Sequence, residues 1–340
     1  MILLTSDWHL DDKPENEYRW AVWDHLRALI TGGIRTIFML GDLCEHKDKH
    51  SAALVNRIIW EIQQTCEAAE EIDGCQLDFT IMLGNHDKPL TGHPFWSLLD
   101  DLRFPVCFIT EPTQVQDMLF LPYSADPAKD WRDVDYKTVK VIFAHQTFQG
   151  AKAEGSQHRE LDGLPGIPKF PKHVKVYSGD IHLPQVVLWG APVTYVGAPH
   201  RVRYGDDHVC RMLALDSETY EIAEELVLDS PLKAVIDISS LEQFKGLWLA
   251  PGDMVRVRFT IPPNRIEQWA VDEADLREIA SQAGVTLASI EPIVEQYGEE
   301  DQPIEGFDKD PRSVLEAFAR EEGLDQGLLD AGLALLGDPL

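Results

Sequence analysis

Five apolar runs in this chain each end on a short cluster of carboxylate, amide or imidazole side chains. The fullest cluster is Leu83-Gly84-Asn85-His86-Asp87, which follows Phe79-Thr80-Ile81-Met82. Gly84 allows a sharp backbone turn there. Asp7-Trp8-His9 follows Ile2-Leu3-Leu4, and Gly41-Asp42 follows Thr36 to Leu40. His145 follows Val139 to Phe143, and Gly179-Asp180-Ile181-His182 follows Val174 to Tyr177. Short apolar runs bounded by turn residues read as buried strands. Open α/β sheets build their sites at the carboxyl ends of such strands. One polar residue after a strand is ordinarily a turn or a cap. Five in succession constrain the chain to an α/β fold whose strand ends converge.

The donors collected there are hard oxygens and imidazoles. A shared carboxylate flanked by such groups can hold two divalent ions, an arrangement suited to phosphoryl transfer. Asp42 is the candidate bridge. Asp7, His9 and His182 are candidates for one ion, and Asn85, His145 and Asp180 for the other. Carboxylates with an Asn carbonyl favour Mn²⁺ or Mg²⁺, while the imidazoles also admit Zn²⁺ or Fe²⁺. Cys44 is set aside as a ligand because its neighbours are hard donors. His86, beside a candidate ligand, is placed to protonate a leaving oxygen as a general acid. Asp87 is expected to hydrogen-bond and orient it. The alternative for His86 is phosphate binding or a turn cap. His46 and His50 are candidates for contact with substrate phosphate, with plain surface histidines as the alternative. His93, His158, His173 and His208 read as surface residues.

Composition bounds the rest. At 340 residues, two or more domains are expected. A net charge of −28 argues against autonomous, non-specific binding of nucleic acid. It leaves DNA open as a substrate if metals and a partner supply positive charge. Five cysteines without metal-site spacing suggest free thiols in a reducing, cytoplasmic compartment. No signal peptide or membrane-spanning run is read.

Helices are expected at Glu17–Thr31, with Trp20 and Trp23 in the core, and at His50–Ile72. Further strands are expected at Val106–Ile109, Leu119–Leu121, Val186–Trp189, Val193–Val196 and Met212–Leu215. Gln149 to Lys172 reads as a long loop. After a boundary near Ser230-Pro231, the pattern is strand, helix, strand, helix, strand: a small α+β module over 231–297. Residues 298–309 are acidic and read as a linker. The apolar pattern from Asp310 to Leu336 reads as two short helices that bind a partner helix or pack on this chain.

The ordered set Asp7-x-His9, Gly41-Asp42, Gly84-Asn85-His86-Asp87, His145 and Gly179-x-x-His182 resembles the calcineurin-like metallophosphoesterase superfamily. That resemblance implies a four-layered α/β/β/α sandwich with a dinuclear centre between its sheets, formed by residues 1–230. Four segments further resemble the SbcD family of nuclease subunits: Asp7 to Leu10, Gly41 to Leu43, Gly179 to Gln185, and Tyr195 to Pro199. This implies a Mn²⁺-dependent exonuclease, and potentially an endonuclease, for DNA double-strand-break processing and recombination. It also implies a DNA-binding cap at 231–297 and a homodimer. The segment 310–340 would dock on the coiled coil of an SbcC-type ABC ATPase. Asp180 departs from the family, which has His there; either a harder second metal position or a weakened one follows. Arg201 and Arg203 are candidates to face a phosphate backbone, as are Lys169, Lys172 and Lys175, against the alternative of solvated surface charge. The rival readings are a phosphatase on the same centre and an assembly subunit with little activity.

Overall fold

A computed structural model describes residues 1–89, 92–101, 104–153, 159–295 and 315. The expected linker at 298–309 and the partner-binding segment at 310–340 lie outside the described residues, Leu315 excepted; so does His158.

The chain is a mixed α/β protein whose elements run β1 (Ile2–Thr5), α1 (Ala21–Thr31), β2 (Thr36–Met39), α2 (Ala52–Asp73), β3 (Asp78–Met82) and β4 (Val106–Ile109). Then come β5 (Thr113–Val115), β6 (Met118–Leu121), α3 (Pro127–Asp130), β7 (Val141–His145) and β8 (Lys175–Gly179). β9 (Gln185–Trp189), β10 (Ala191–Tyr195), β11 (Arg211–Leu215) and β12 (Ile222–Val227) follow. One six-stranded sheet has the order β12-β11-β1-β2-β3-β4, and a second has β5-β6-β7-β8-β10-β9. β1 to β4 are parallel, as are β6, β7, β8 and β10.

Strand periodicity explains how the sheets stack. Successive side chains on a strand point to opposite faces. On β1 and β2, Leu3, Ile37 and Met39 pack with α1 and α2 residues such as Trp23, Leu26, Ile58 and Ile62. Their neighbours Leu4 and Phe38 turn the other way, onto Phe120, Phe143 and Tyr177 of the second sheet. Phe38 meets Phe120 and Phe143 edge-on, with ring centroids 5.1 Å apart in each pair. Such pairs contribute about 0.5–1.5 kcal/mol beyond area burial. Trp20 and Trp23 are core residues, as expected. α2 starts where Ser51 Oγ accepts the Leu54 N–H and stops at Gly74, whose φ is 69°.

The far face of the second sheet differs from the first. Trp131, Phe148 and Phe170 cover it from loops. The single-turn α3 is the nearest described helix in sequence, whereas long helices cover the first sheet. The 149–172 stretch carries no helix or strand among its described residues, only the bridge Lys152–Glu160. β12 was not expected: its sequence IAEELV is largely exposed and rich in acid, so no apolar alternation marks it.

The α+β module is a third sheet, β13 (Lys233–Ile238), β14 (Met254–Ile261) and β15 (Thr286–Val294), with α4 (Leu241–Lys245) and α5 (Trp269–Gln282). All strand pairs in it are parallel. Val255, Val257, Phe259, Leu276 and Ala280 form its own core. Residues 1–294 nevertheless form one compact unit. No described helix is long and apolar enough to cross a membrane.

Candidate metal centre

The carboxyl ends of β1, β2, β3, β7 and β8 bring the five clusters together. The turns lock to one another through their backbones. The Asp7 N–H donates to the Gly41 carbonyl at 3.0 Å, and the His9 N–H to the Asp42 carbonyl at 3.0 Å. Asp7, His9, Asp42 and Asp180 have φ of 57°, 47°, 61° and 82°. Left-handed backbone is costly for residues other than Gly, and it concentrates where a site demands a particular side-chain direction. Four candidate ligands share it here.

The glycines serve close approach. A Cβ on Gly84 would lie 2.2 Å from Asp42 Oδ1, and one on Gly41 would lie 2.3 Å from His145 Nδ1. One on Gly179 would lie 2.0 Å from Ser6 Oγ. Gly84 is therefore needed for space beside Asp42 rather than for a positive φ.

The donors face one another. Asp42 Oδ2 lies 3.5 Å from His9 Nε2, and Asp42 Oδ1 lies 3.5 Å from His145 Nε2. His9 Nε2 and His182 Nε2 are 3.1 Å apart. Two tight groups of potential ligand atoms result: Asp7, His9 and His182, and Asp7, Asp42 and His145. Asp7 thus belongs to both groups, a sharing that had been expected of Asp42 alone. A third group joins His9, Glu45 and His86. Asp180 sits beside the second group, its Oδ1 lying 3.7 Å from His145 Nε2 and accepting from Asn85 Nδ2 at 3.2 Å. Thr147 donates its hydroxyl to the other oxygen of Asp180.

Each imidazole turns one nitrogen away from the cluster. His145 Nδ1 donates to the Leu40 carbonyl. His9 Nδ1 faces Glu45 Oε2 at 3.4 Å, and His182 Nδ1 faces Asp206 Oδ2 at 3.9 Å. The carbonyl that accepts from His145 fixes that ring and raises its basicity as a ligand; the carboxylate beside His9 Nδ1 faces it without a hydrogen bond.

The cluster strongly resists its own charges. Burial pushes the Asp42 carboxyl well up from the usual range; His145 opposes this, and Asp87 and Asp7 add to it. Burial likewise raises Asp7. Burial, then His182 and His86, hold the His9 imidazole well below its ordinary value. Burial works against a charged His145, but Asp42, Asp7 and Asp180 outweigh it and lift His145 to about 9. Asp7 Oδ2, Asn85 Oδ1 and His145 Nε2 are buried without a hydrogen-bond partner. Each such atom costs about 1–3 kcal/mol unless something satisfies it. Carboxylates, an amide oxygen and outward-fixed imidazoles, all unsatisfied at one point, fit divalent cations.

His86 and Asp87 have separate roles. The His86 N–H donates to Asp42 Oδ1 at 2.8 Å, and its Nδ1 lies 2.6 Å from the Glu45 carbonyl. A carbonyl only accepts, so Nδ1 carries a proton and Nε2 is the nitrogen that exchanges one. Asp87 does not orient this ring. Its carboxylate accepts the backbone N–H groups of Asp42, Gly84 and Leu43 at 2.7, 2.9 and 3.1 Å. Fully buried, it ties the second turn to the third, so its expected catalytic role is corrected to a structural one.

The expected substrate contacts divide. Arg203 is exposed and close enough to help hold His9 neutral. Arg201 donates to the Ser230 carbonyl at 2.7 Å, which commits it to the boundary before the third sheet rather than to substrate. His46 is exposed, and His50 packs against Phe95 and Trp96. Lys169 stacks on Trp189 and Lys175 pairs with Glu221, while Lys172 is exposed. Burial pushes the Cys44 thiol well up, so it stays protonated. His208 is corrected from surface to core: it is 2% exposed, beside His182.

Glu45, Arg19 and Asp206 were not foreseen. Arg19 is 3% exposed and donates to the His9 carbonyl, to Glu45 at 3.2 Å and to the Val202 carbonyl at 3.0 Å. Asp206 accepts from the backbone N–H groups of Val202 and Arg203. Burial works to raise its carboxyl, but His182 and the Arg203 N–H outweigh it and keep it low. No protein-family model matches the chain, and no curated protein matches it in sequence.

Proposed function

We propose that this chain is a dinuclear-metal phosphodiesterase acting on DNA, of the SbcD type within the calcineurin-like metallophosphoesterases. The observation that carries the reading is Asp42, whose two oxygens face His9 and His145 in two adjacent donor groups. In this reading the two stacked sheets are the centre of a four-layered sandwich, with loops supplying much of its last layer.

Asp7, His9, His182 and Asp42 would hold one ion, and Asp42, Asp7, His145 and Asn85 the other, with Asp180 beside it. Two Mn²⁺, or Mg²⁺ in their place, would supply Lewis-acid activation of water and of the phosphoryl group. The protein's own residues do the rest. Asp87 fixes the turn that aims Asp42. His86, held through Nδ1 by the Glu45 carbonyl, presents Nε2 to protonate the departing sugar oxygen. Arg203 brings positive charge beside the scissile phosphate. The third sheet acts as a cap, and 310–340 as the segment that binds an SbcC-type ATPase in a dimeric complex.

The test is cleavage of an end-labelled linear duplex in Mn²⁺, in Mg²⁺ and in chelator. Mn²⁺-dependent loss of label is expected, falling about 10²–10⁴-fold in His86→Ala. An Asp42→Asn variant that cuts at the wild-type rate would sink the assignment. Phosphomonoesters run in parallel separate a nuclease from a phosphatase.

A further inference from the structure

A cleft of about 610 Å³ lies between the third sheet and the main body. Its charged lining is Lys13, Arg203, Lys233 and Arg256 against Glu15 alone. Acidic residues outnumber basic ones 58 to 30 in this chain. The other three arginines of this α+β module pair with carboxylates: Arg258 with Asp237, Arg265 with Asp272 and Arg277 with Glu273. Among the described residues, none of the four cations in the cleft has an ion pair.

Their arrangement is built rather than incidental. Lys233 is 4% exposed, an unusual burial for an ammonium group. Its Nζ donates to Asn16 Oδ1 at 2.9 Å and to the Val202 carbonyl at 3.3 Å. An ammonium has three donors, so one is left over. The Arg256 guanidinium lies 4.1 Å from the centre of the Tyr204 ring, and Lys233 Nζ lies 5.3 Å from it. Unpaired cations beside an aromatic ring match a ligand with a phosphate and a flat or sugar-like body. The volume suits a small molecule and is too small for a duplex. The cleft also abuts the metal centre. Val202, in its wall, accepts from Arg19, which in turn holds the His9 carbonyl.

We propose that this cleft binds a nucleoside phosphate, its phosphate against Lys13, Arg203, Lys233 and Arg256 and its nucleoside beside Tyr204. The choice of a nucleoside rests on the nuclease reading; the demand for a compact anion rests on the cleft. The same chemistry comes from two sources, a free mononucleotide or the phosphorylated end of a strand.

The experiment is a binding titration of the full chain in chelator, so that the metal centre takes no part. The probes are a fluorescent deoxynucleoside 5′-monophosphate and a short single strand with or without a 5′-phosphate. The Lys13→Gln/Arg256→Gln variant changes only exposed side chains, so it should fold. It is expected to bind at least tenfold more weakly. Binding of the mononucleotide identifies the free nucleotide as the source. Binding of only the phosphorylated strand identifies a strand end. Binding of neither probe, or equal binding by wild type and variant, overturns the proposal. Competition by inorganic phosphate as strong as by the nucleotide overturns the nucleoside part. A chain that cuts no DNA yet binds nucleotide through Arg256 keeps the cleft and loses the nuclease. One that cuts DNA but binds neither probe does the reverse.

Discussion

The Asp87 carboxylate accepts the backbone N–H of Asp42 at 2.7 Å, across forty-five residues of sequence. The same oxygen takes the Gly84 N–H, so one buried side chain sets the distance between two strand-end turns. Asp87→Asn keeps an acceptor but loses its charge and can no longer satisfy all three donors. It should lower stability by about 1–3 kcal/mol and weaken metal binding, while His86→Ala leaves metal binding near wild type. Denaturant titration and Mn²⁺ calorimetry on the two variants check this. Equal metal affinity in wild type and Asp87→Asn would show that the turns hold Asp42 in place without this carboxylate.

Glu45 acts through His9. Its Oε2 lies 3.4 Å from His9 Nδ1 and 3.2 Å from Arg19, which keeps the carboxylate facing the ring. Partners of this kind are worth about 10–100-fold in metal affinity. Glu45→Gln should lose affinity toward the lower end of that range, because an amide oxygen keeps a partial negative charge facing the ring. Glu45→Ala should lose more. Calorimetric Mn²⁺ affinities for the pair read the difference; identical losses would show that only the full negative charge of Glu45 matters to the ring.

The candidate strand-end ligands were legible because each stands next in sequence to the strand that aims it. Asp7, His9, Asp42, Asn85, His145, Asp180 and His182 all come together. What could not be read was whatever depends on a partner far along the chain. Asp87 looks like a neighbour of His86 in sequence, yet its partners are backbone groups of another turn. Arg19 reads as the polar face of a helix and is buried against the His9 carbonyl. His208 carried no pattern at all, and its burial comes from packing near His182. The need for Gly84 was visible, but its reason was not: the close neighbour is Asp42, forty-two positions away. In the fold, alternation exposed the buried strands and failed for the acidic edge strand β12, which buries almost nothing.

Lys233 gives a dependence on pH away from the metal centre. Burial, then Arg19, lower its value from 10.5 to about 8. The fold therefore disfavours the ammonium, which costs stability wherever the folded chain keeps it protonated, below about 8. As pH rises from about 8 toward 10.5, folded Lys233 sheds its proton before the unfolded chain does, and stability is recovered. Solvent in the cleft tempers the size. Relative to Lys233→Met, the wild type should gain on the order of 1 kcal/mol between about pH 7 and about pH 9.5. Denaturant titrations of both proteins at the two pH values measure it; a constant gap would refute the lowered value.

Asp180 is placed to shape the second of the proposed metal positions. Its oxygens accept from Asn85 Nδ2 and from Thr147, and its own N–H donates to Asp7 Oδ1 at 3.1 Å. The Asn85 amide is thereby turned so that its carbonyl oxygen, which has no partner, is the atom offered for ligation. Asp180→Ala removes that hold and leaves the Asp7, His9 and His182 group intact. Calorimetry with Mn²⁺ should then change from two sites to one, with the surviving site near its original affinity. Asp180→Asn can present an oxygen to only one of its two donors, so it should weaken the second site without abolishing it. Two undiminished sites in Asp180→Ala would mean that Asp7, Asp42 and His145 hold the second ion unaided. In that case the hold of Asp180 on Asn85 contributes nothing to metal binding.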